Sequence, residues 1–169
     1  MQDHWALTRS KLMSLEDVLA RTNAWRLAGD KIVFTNGCFD VLHLGHVTYL
    51  AKAASLGTRL IVALNTDESV RALNKAPNRP IHNEDARQFV VAGLGFVDAV
   101  LLFHDATPLS TIEAILPDVL VKGADYDAKE INKESKKYIV GSDIVLKNGG
   151  KIETIDLVIG HSTTLILAK

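Results

Sequence analysis

The 169-residue sequence predicts an α/β fold, a Rossmann-like doubly wound sheet of about five parallel strands with helices on both faces. Two observations carry this expectation. Apolar runs of four to six residues rich in Val, Ile and Leu recur along the chain, as strands buried on both faces of a parallel sheet require. Longer amphipathic segments separate them, and alternation of strand with helix gives right-handed crossovers within one sheet.

Taken in order, the strands are expected at KIVFT (31–35), RLIVAL (59–64), AVLLF (99–103), DVLVK (118–122) and KIETI (151–155). A first helix, SLEDVLARTNAWRLAG, starts at Ser14, whose hydroxyl can cap it with Asp17 three residues on, and ends at Gly29. A second begins near Leu44 and stops at Gly57. Others are expected near 67–74, 83–94, 107–116 and 136–148, the last closed by Asn148, Gly149 and Gly150. A final helix, LILAK, opens at Ser162, Thr163 and Thr164. Residues 1–30 then form an N-terminal helical extension and 31–169 one domain, which suits the size prior for a single core. Two irregular polar stretches, 74–83 and 122–135, read either as lids or binding loops at the carboxyl end of the sheet or as solvated connections.

Composition narrows the function classes. With 19 basic and 20 acidic residues spread along the chain, no clustered basic surface is evident of the kind nucleic-acid recognition depends on, so a bound polyanion would need a local site. No stretch approaches the roughly 20 apolar residues of a membrane span. The N-terminus lacks the pattern of a secretory signal, and Cys38 is the only cysteine. These features point to a cytoplasmic protein without disulfides.

In open α/β sheets ligands sit outside the carboxyl ends of the strands, where strand order reverses. There, after the first strand, stands NGCFDVLHLGH (36–46). It fits neither GxGxxG nor GxxxxGK[ST], yet it places HxGH at a helix start. Unpaired amides and a partial positive charge make such a start an anion site. Gly45 lets a phosphate approach the backbone, and His43 and His46 would flank it as donors to charge growing on its oxygens. Zinc is a rival reading for two close histidines, although a catalytic zinc needs three protein ligands and HExxH is missing. Satisfied core histidines are the other rival. Cys38 lies beside the site as a bystander, since no thiolate is required.

The segment TNGCFDVLHLGHVTYL resembles the signature of the HxGH nucleotidyltransferases, which include cytidylyltransferases, pantetheine-phosphate adenylyltransferase and, more distantly, class I aminoacyl-tRNA synthetases. Further matches follow in order: LIVALNTDESVRALNK, RPIHNEDARQFVVAGLGFVDAV, LPDVLVKGADY, IVGSDIV with NGGKIETI, and STT. Together they span 31–168 and are most similar to the branch whose adenylyltransferase domain acts on D-glycero-β-D-manno-heptose 1-phosphate. The resemblance implies transfer of AMP from ATP to that sugar phosphate, giving ADP-heptose and pyrophosphate for the lipopolysaccharide inner core.

It also implies roles for residues. His43 and His46 would meet the α-phosphate and pyrophosphate oxygens, with Lys75 neutralising phosphate from the irregular loop. Thr35, Asn36, Gly37 and Phe39 would line the nucleotide at the strand end, with Gly45 beneath it. Asp40 would fix that loop or a histidine, although turn capping explains it equally. Arg79 and Arg87 would grip the sugar phosphate, since guanidinium matches phosphate oxygens bidentately. Lys122, Gly123 and Asp125 would border the nucleotide after the fourth strand, Asp125 having loop closure as its other reading. Ser162, Thr163 and Thr164 would bring a second helix start to the phosphates, or only cap their helix.

Magnesium is the implied cofactor, carried mainly by the ATP phosphates, with no protein metal site. The implied partners are ATP and a sugar 1-phosphate, without nucleic acid or membrane, and a homo-oligomer, a dimer first, is the expectation from symmetry. Two departures stand out. Cytidylyltransferases of the superfamily carry arginine in an RTEGISTT-like segment where this chain reads DLVIGHSTT, and Gly95 stands in GFVDAV where relatives have arginine. The first makes cytidine specificity a weaker reading than adenosine. Alternatives are a cytidylyltransferase acting on glycerol 3-phosphate or a similar alcohol phosphate, and a nucleotide-binding regulator without turnover. No sugar kinase sequence accompanies the domain in this chain, so a stand-alone form is implied.

Overall fold

The computed structural model describes residues 1–74, 78–163 and 166. Five strands, β1 (Ile32–Gly37), β2 (Arg59–Asn65), β3 (Ala99–Phe103), β4 (Val119–Gly123) and β5 (Lys151–Ile155), form one parallel sheet in the order β3-β2-β1-β4-β5. Each falls within a residue or two of its expected position. The strands are readable because their apolar runs are buried on both faces: Ile32, Phe34, Ile61, Ala63, Leu101 and Leu120 point to one core cluster, and Val33, Val62, Leu64, Val100, Val119 and Val121 to the other. Chain order reverses between β1 and β4, which opens a crevice at their carboxyl ends.

Seven α-helices are described: α1 (His4–Arg9), α2 (Leu15–Leu27), α3 (Leu44–Ala54), α4 (Asp67–Ala72), α5 (Glu84–Ala92), α6 (Leu109–Ile115) and α7 (Ser142–Lys147). Ser14 and Asp17 form a reciprocal capping box on α2, and Gly29 follows it at φ +82°. The short helix α1 was not expected from the sequence; Asp3 caps it and none of its residues is buried. The expected helix 136–148 is real only from Ser142, because Gly141 stands before it at φ +83° and the preceding residues run as turns that deliver Ile139 to the core.

The N-terminal segment packs on the sheet. Val18 and Trp25 of α2 belong to the core cluster shared with β1, β3 and α6. Just before α2, the Met13 amide donates to the Val100 carbonyl at 3.0 Å and the Val100 amide to the Lys11 carbonyl at 2.8 Å. Residues 11–13 thereby cover the outer edge of β3, whose open backbone groups would otherwise be a template for aggregation. Among the described residues no helix is long and apolar enough to cross a membrane.

Candidate active site

The turn from β1 into α3 builds the site. Phe39 takes a left-handed conformation at φ 45° and is buried, which swings the chain from the strand end back over the sheet. His43 is the residue that starts α3, in extended backbone, and its side chain makes no capping bond. By contrast, Ser14, Thr66 and Asn83 each cap their helices by accepting a backbone amide. The first amides of α3 are therefore left to an outside acceptor.

The imidazoles of His43 and His46 stack with ring centroids 3.9 Å apart and 23° between planes. Phe39 packs edge-on against His46 at 5.1 Å. The Nδ1 atoms of both histidines are buried and lack a partner with hydrogen-bond geometry. Buried polar atoms without partners are uncommon and call for a reason. Burial, and then the neighbouring His43, push His46 down to about 4, against a smaller opposing pull from the Val41 carbonyl. His43 is likewise lowered, by burial first and then by His161. Both rings are thus neutral at pH 7, each with one N–H to donate. Gly45 is needed between them: a Cβ there would stand 3.0 Å from His43 Cε1 and Nδ1 and 3.1 Å from the His161 carbonyl oxygen.

Asp40, 3% exposed, is the clamp of this turn. Its carboxylate accepts the Ile81 amide at 2.8 Å, the His82 amide at 3.0 Å and Arg79 Nε at 3.1 Å. It holds the 79–82 segment, His82 included, rather than His43 or His46, and brings Arg79 to the turn. Arg87 is 1% exposed. Its guanidinium donates to the carbonyls of His82, Cys38 and Asn65 at 3.0, 2.8 and 2.8 Å and pairs with Asp67 at 2.7 Å. With its side chain fully enclosed, it presents no open face to a sugar phosphate. The geometry makes it a tie between the ends of β1 and β2, the 79–82 segment and α4, in place of the direct phosphate contact expected from the sequence.

Thr35 is also enclosed. Its hydroxyl donates to the Val121 carbonyl at 3.1 Å and lies 2.7 Å from the Tyr49 hydroxyl, which then serves as donor to it. It joins β1, β4 and α3 beneath the crevice instead of facing a nucleotide. Across the crevice, Lys122 Nζ donates to Asn36 Oδ1 and lies 5.7 Å from the centre of the Tyr126 ring. The Lys122 ammonium therefore sits at the mouth between β1 and β4. A Cβ on Gly37 would reach 3.0 Å from the Phe39 ring, and one on Gly123 would reach 2.5 Å from Asp125 Oδ1, so both glycines allow those side chains to fold back. Asp125 is exposed beside the mouth. Ser162 and the buried Thr163 follow His161, and the Ile166 amide donates to the Ser162 carbonyl; the expected LILAK helix lies, apart from Ile166, outside the described residues. Lys75 and Thr164 lie outside the described residues.

Four further residues shape the site without having been singled out: Tyr49, Asn65, His82 and His161. Asn65 is buried, donates to Ser69 Oγ at 2.9 Å and receives the Cys38 thiol at 3.6 Å. It directly follows the apolar run of β2, so the rule that ligands gather after strands could have found it. Tyr49 lies one turn beyond HxGH, where its spacing looks like ordinary core. Among the described residues no group of three or more His, Cys, Asp or Glu is placed to hold a metal ion.

Comparison with known proteins agrees with this geometry. Residues 34–167 match the family described as cytidylyltransferase-like. The chain is 51% identical over 158 residues to the bifunctional protein HldE of Azorhizobium caulinodans, covering 94% of this chain and 31% of that protein. It is 48% identical over 164 residues to HldE of Methylobacillus flagellatus, covering 97% and 32%. The chain thus spans about a third of the length of these relatives. Among solved structures, the lipopolysaccharide core biosynthesis protein of Thermoplasma volcanium aligns at TM-score 0.58 with 29% identity, over 77% of this chain and 98% of that one. A pantoate-beta-alanine ligase of Francisella tularensis, at 14% identity and TM-score 0.55 over 86% of this chain and 66% of that one, shares the fold. An uncapped helix start under two stacked imidazoles, at the switch point of a five-stranded parallel sheet, together with a match over most of its length, places the chain in the cytidylyltransferase-like family of HxGH nucleotidyltransferases.

Proposed function

We infer that the domain transfers AMP from ATP to D-glycero-β-D-manno-heptose 1-phosphate, yielding ADP-heptose and pyrophosphate for lipopolysaccharide inner-core synthesis. The stacked His43–His46 pair at the uncapped start of α3 carries the reading. The HldE relatives and the lipopolysaccharide core biosynthesis protein supply its direction. In the reaction an oxygen of the sugar phosphate attacks the α-phosphorus in line. A new phosphorus–oxygen bond forms, the bond to the β-phosphate oxygen breaks, and its electron pair leaves with pyrophosphate. Such chemistry depends on positioning and on donors aimed at developing charge.

The residues divide that work. The α3 amides receive the triphosphate backbone, and the two imidazoles donate to α-phosphate and leaving-group oxygens. As phosphate approaches, its charge raises the affinity of both rings for a proton, so they are poised to share it when charge accumulates on pyrophosphate. Lys122 adds positive charge at the mouth between β1 and β4, and Arg79, held by Asp40, is proposed to grip the sugar phosphate. Lys75 is proposed to neutralise phosphate from the loop, and Ser162, Thr163 and Thr164 to meet the triphosphate from the second helix start. Magnesium, bound to the nucleotide, would supply charge neutralisation. A cytoplasmic location and a homodimer complete the proposal.

The test is to incubate the protein with ATP or CTP and each phosphorylated acceptor while following pyrophosphate release. Activity with ATP and heptose 1-phosphate is expected; activity confined to CTP and an alcohol phosphate, or tight ATP binding without product, would contradict it. His43→Ala and His46→Ala should each lower kcat by about 10² or more, the scale of losing one transition-state donor, while the variants remain folded.

A further inference from the structure

The segment DLVIGHST (156–163) crosses the start of α3, and its only basic residue is His161. Its approach is close at the level of the backbone. The His161 carbonyl and the His43 ring flank one point, each about 3 Å from where a Cβ on Gly45 would lie. Gly160, at φ +80°, turns the chain immediately before it, and the His161 amide donates back to the Val158 carbonyl at 3.3 Å. The His161 residue is exposed, beside two histidines that are half-buried. It is also near enough for its charge to bear on His43. Thr163, two residues on, is buried and anchors the segment.

We propose that His161 is a third phosphate-facing imidazole, which closes over the HxGH turn and contacts the triphosphate of the bound nucleotide. His43 and His46 stack against each other at the start of α3, while residue 161 reaches Gly45 from the segment after β5. An anion over Gly45 would then be met from two directions by groups on different elements. The proposal rests on the reading of the site as a nucleoside triphosphate site, and it adds a residue that HxGH does not contain.

Calorimetric titration with ATP and, separately, with inorganic tripolyphosphate tests it without turnover. His161→Ala should weaken both by about three- to tenfold, the scale of one hydrogen bond to a charged acceptor, and His161→Gln, which keeps an N–H donor, should recover part of the loss. Product inhibition by pyrophosphate should weaken in parallel, with the KM for sugar 1-phosphate and the Tm unchanged. Equal affinities in wild type and His161→Ala, or a loss that appears only with a lowered Tm and a raised acceptor KM, would overturn the proposal. If the affinities shift as expected while wild type forms no nucleotide sugar, the acceptor assignment fails and the role of His161 stands.

Discussion

His46 is held at about 4 by burial and by His43, whereas an unfolded chain would titrate it near 6.5. The unfolded state therefore takes up the proton first. The stability this neutral ring supports is complete above about pH 6.5 and is lost as pH falls toward 4, at up to ~1.4 kcal/mol per pH unit. Urea unfolding at pH 7, 6 and 5 should show that decline, and His46→Asn should lose less over the same range; identical declines would contradict the assigned burial. The pair itself was legible in the sequence, because HxGH after an apolar run marks a strand-to-helix phosphate turn. Thr35 and Arg87 were not. A hydroxyl or guanidinium beside a site reads the same whether it faces a ligand or the interior, and only the contacts with Val121, Tyr49, Cys38 and Asn65 decide it.

At the scale of elements, Arg87 ties together parts that share no sequence proximity: the ends of β1 and β2, the 79–82 segment and the start of α4. Removing it strands three carbonyls and the Asp67 carboxylate. Arg87→Leu should cost about 3–5 kcal/mol, the usual penalty for breaking a buried charged pair, measured by chemical denaturation. A loss under 1 kcal/mol would show that the tie is dispensable. The strands were readable because burial on both faces writes itself as unbroken Val, Ile and Leu. Helix α7 was less so: the amphipathic pattern continues upstream of Ser142, and it is Gly141 in the left-handed region that sets the start. The short α1, with no buried residue, leaves no apolar periodicity to read.

For the whole molecule, the N-terminal 30 residues and the sheet share one core. Trp25 is 9% exposed within the cluster of Phe34, Ile112 and Ile115, and its ring lies 5.4 Å from the Arg59 guanidinium carbon. Trp25→Ala should cost about 3–5 kcal/mol, visible as a lower denaturation midpoint in a single cooperative transition. A separate early transition would show instead that the segment folds independently of the sheet. That shared core fixes the edge of β3 on one side and leaves the β1–β4 crevice as the open end where the imidazoles meet the α3 amides. The most direct measurement of that arrangement is a crystal structure with a non-hydrolysable ATP analogue: the α-phosphate should lie over Gly45, within hydrogen-bonding distance of His43 or His46. An analogue bound away from this turn, with both imidazoles untouched, would contradict the account.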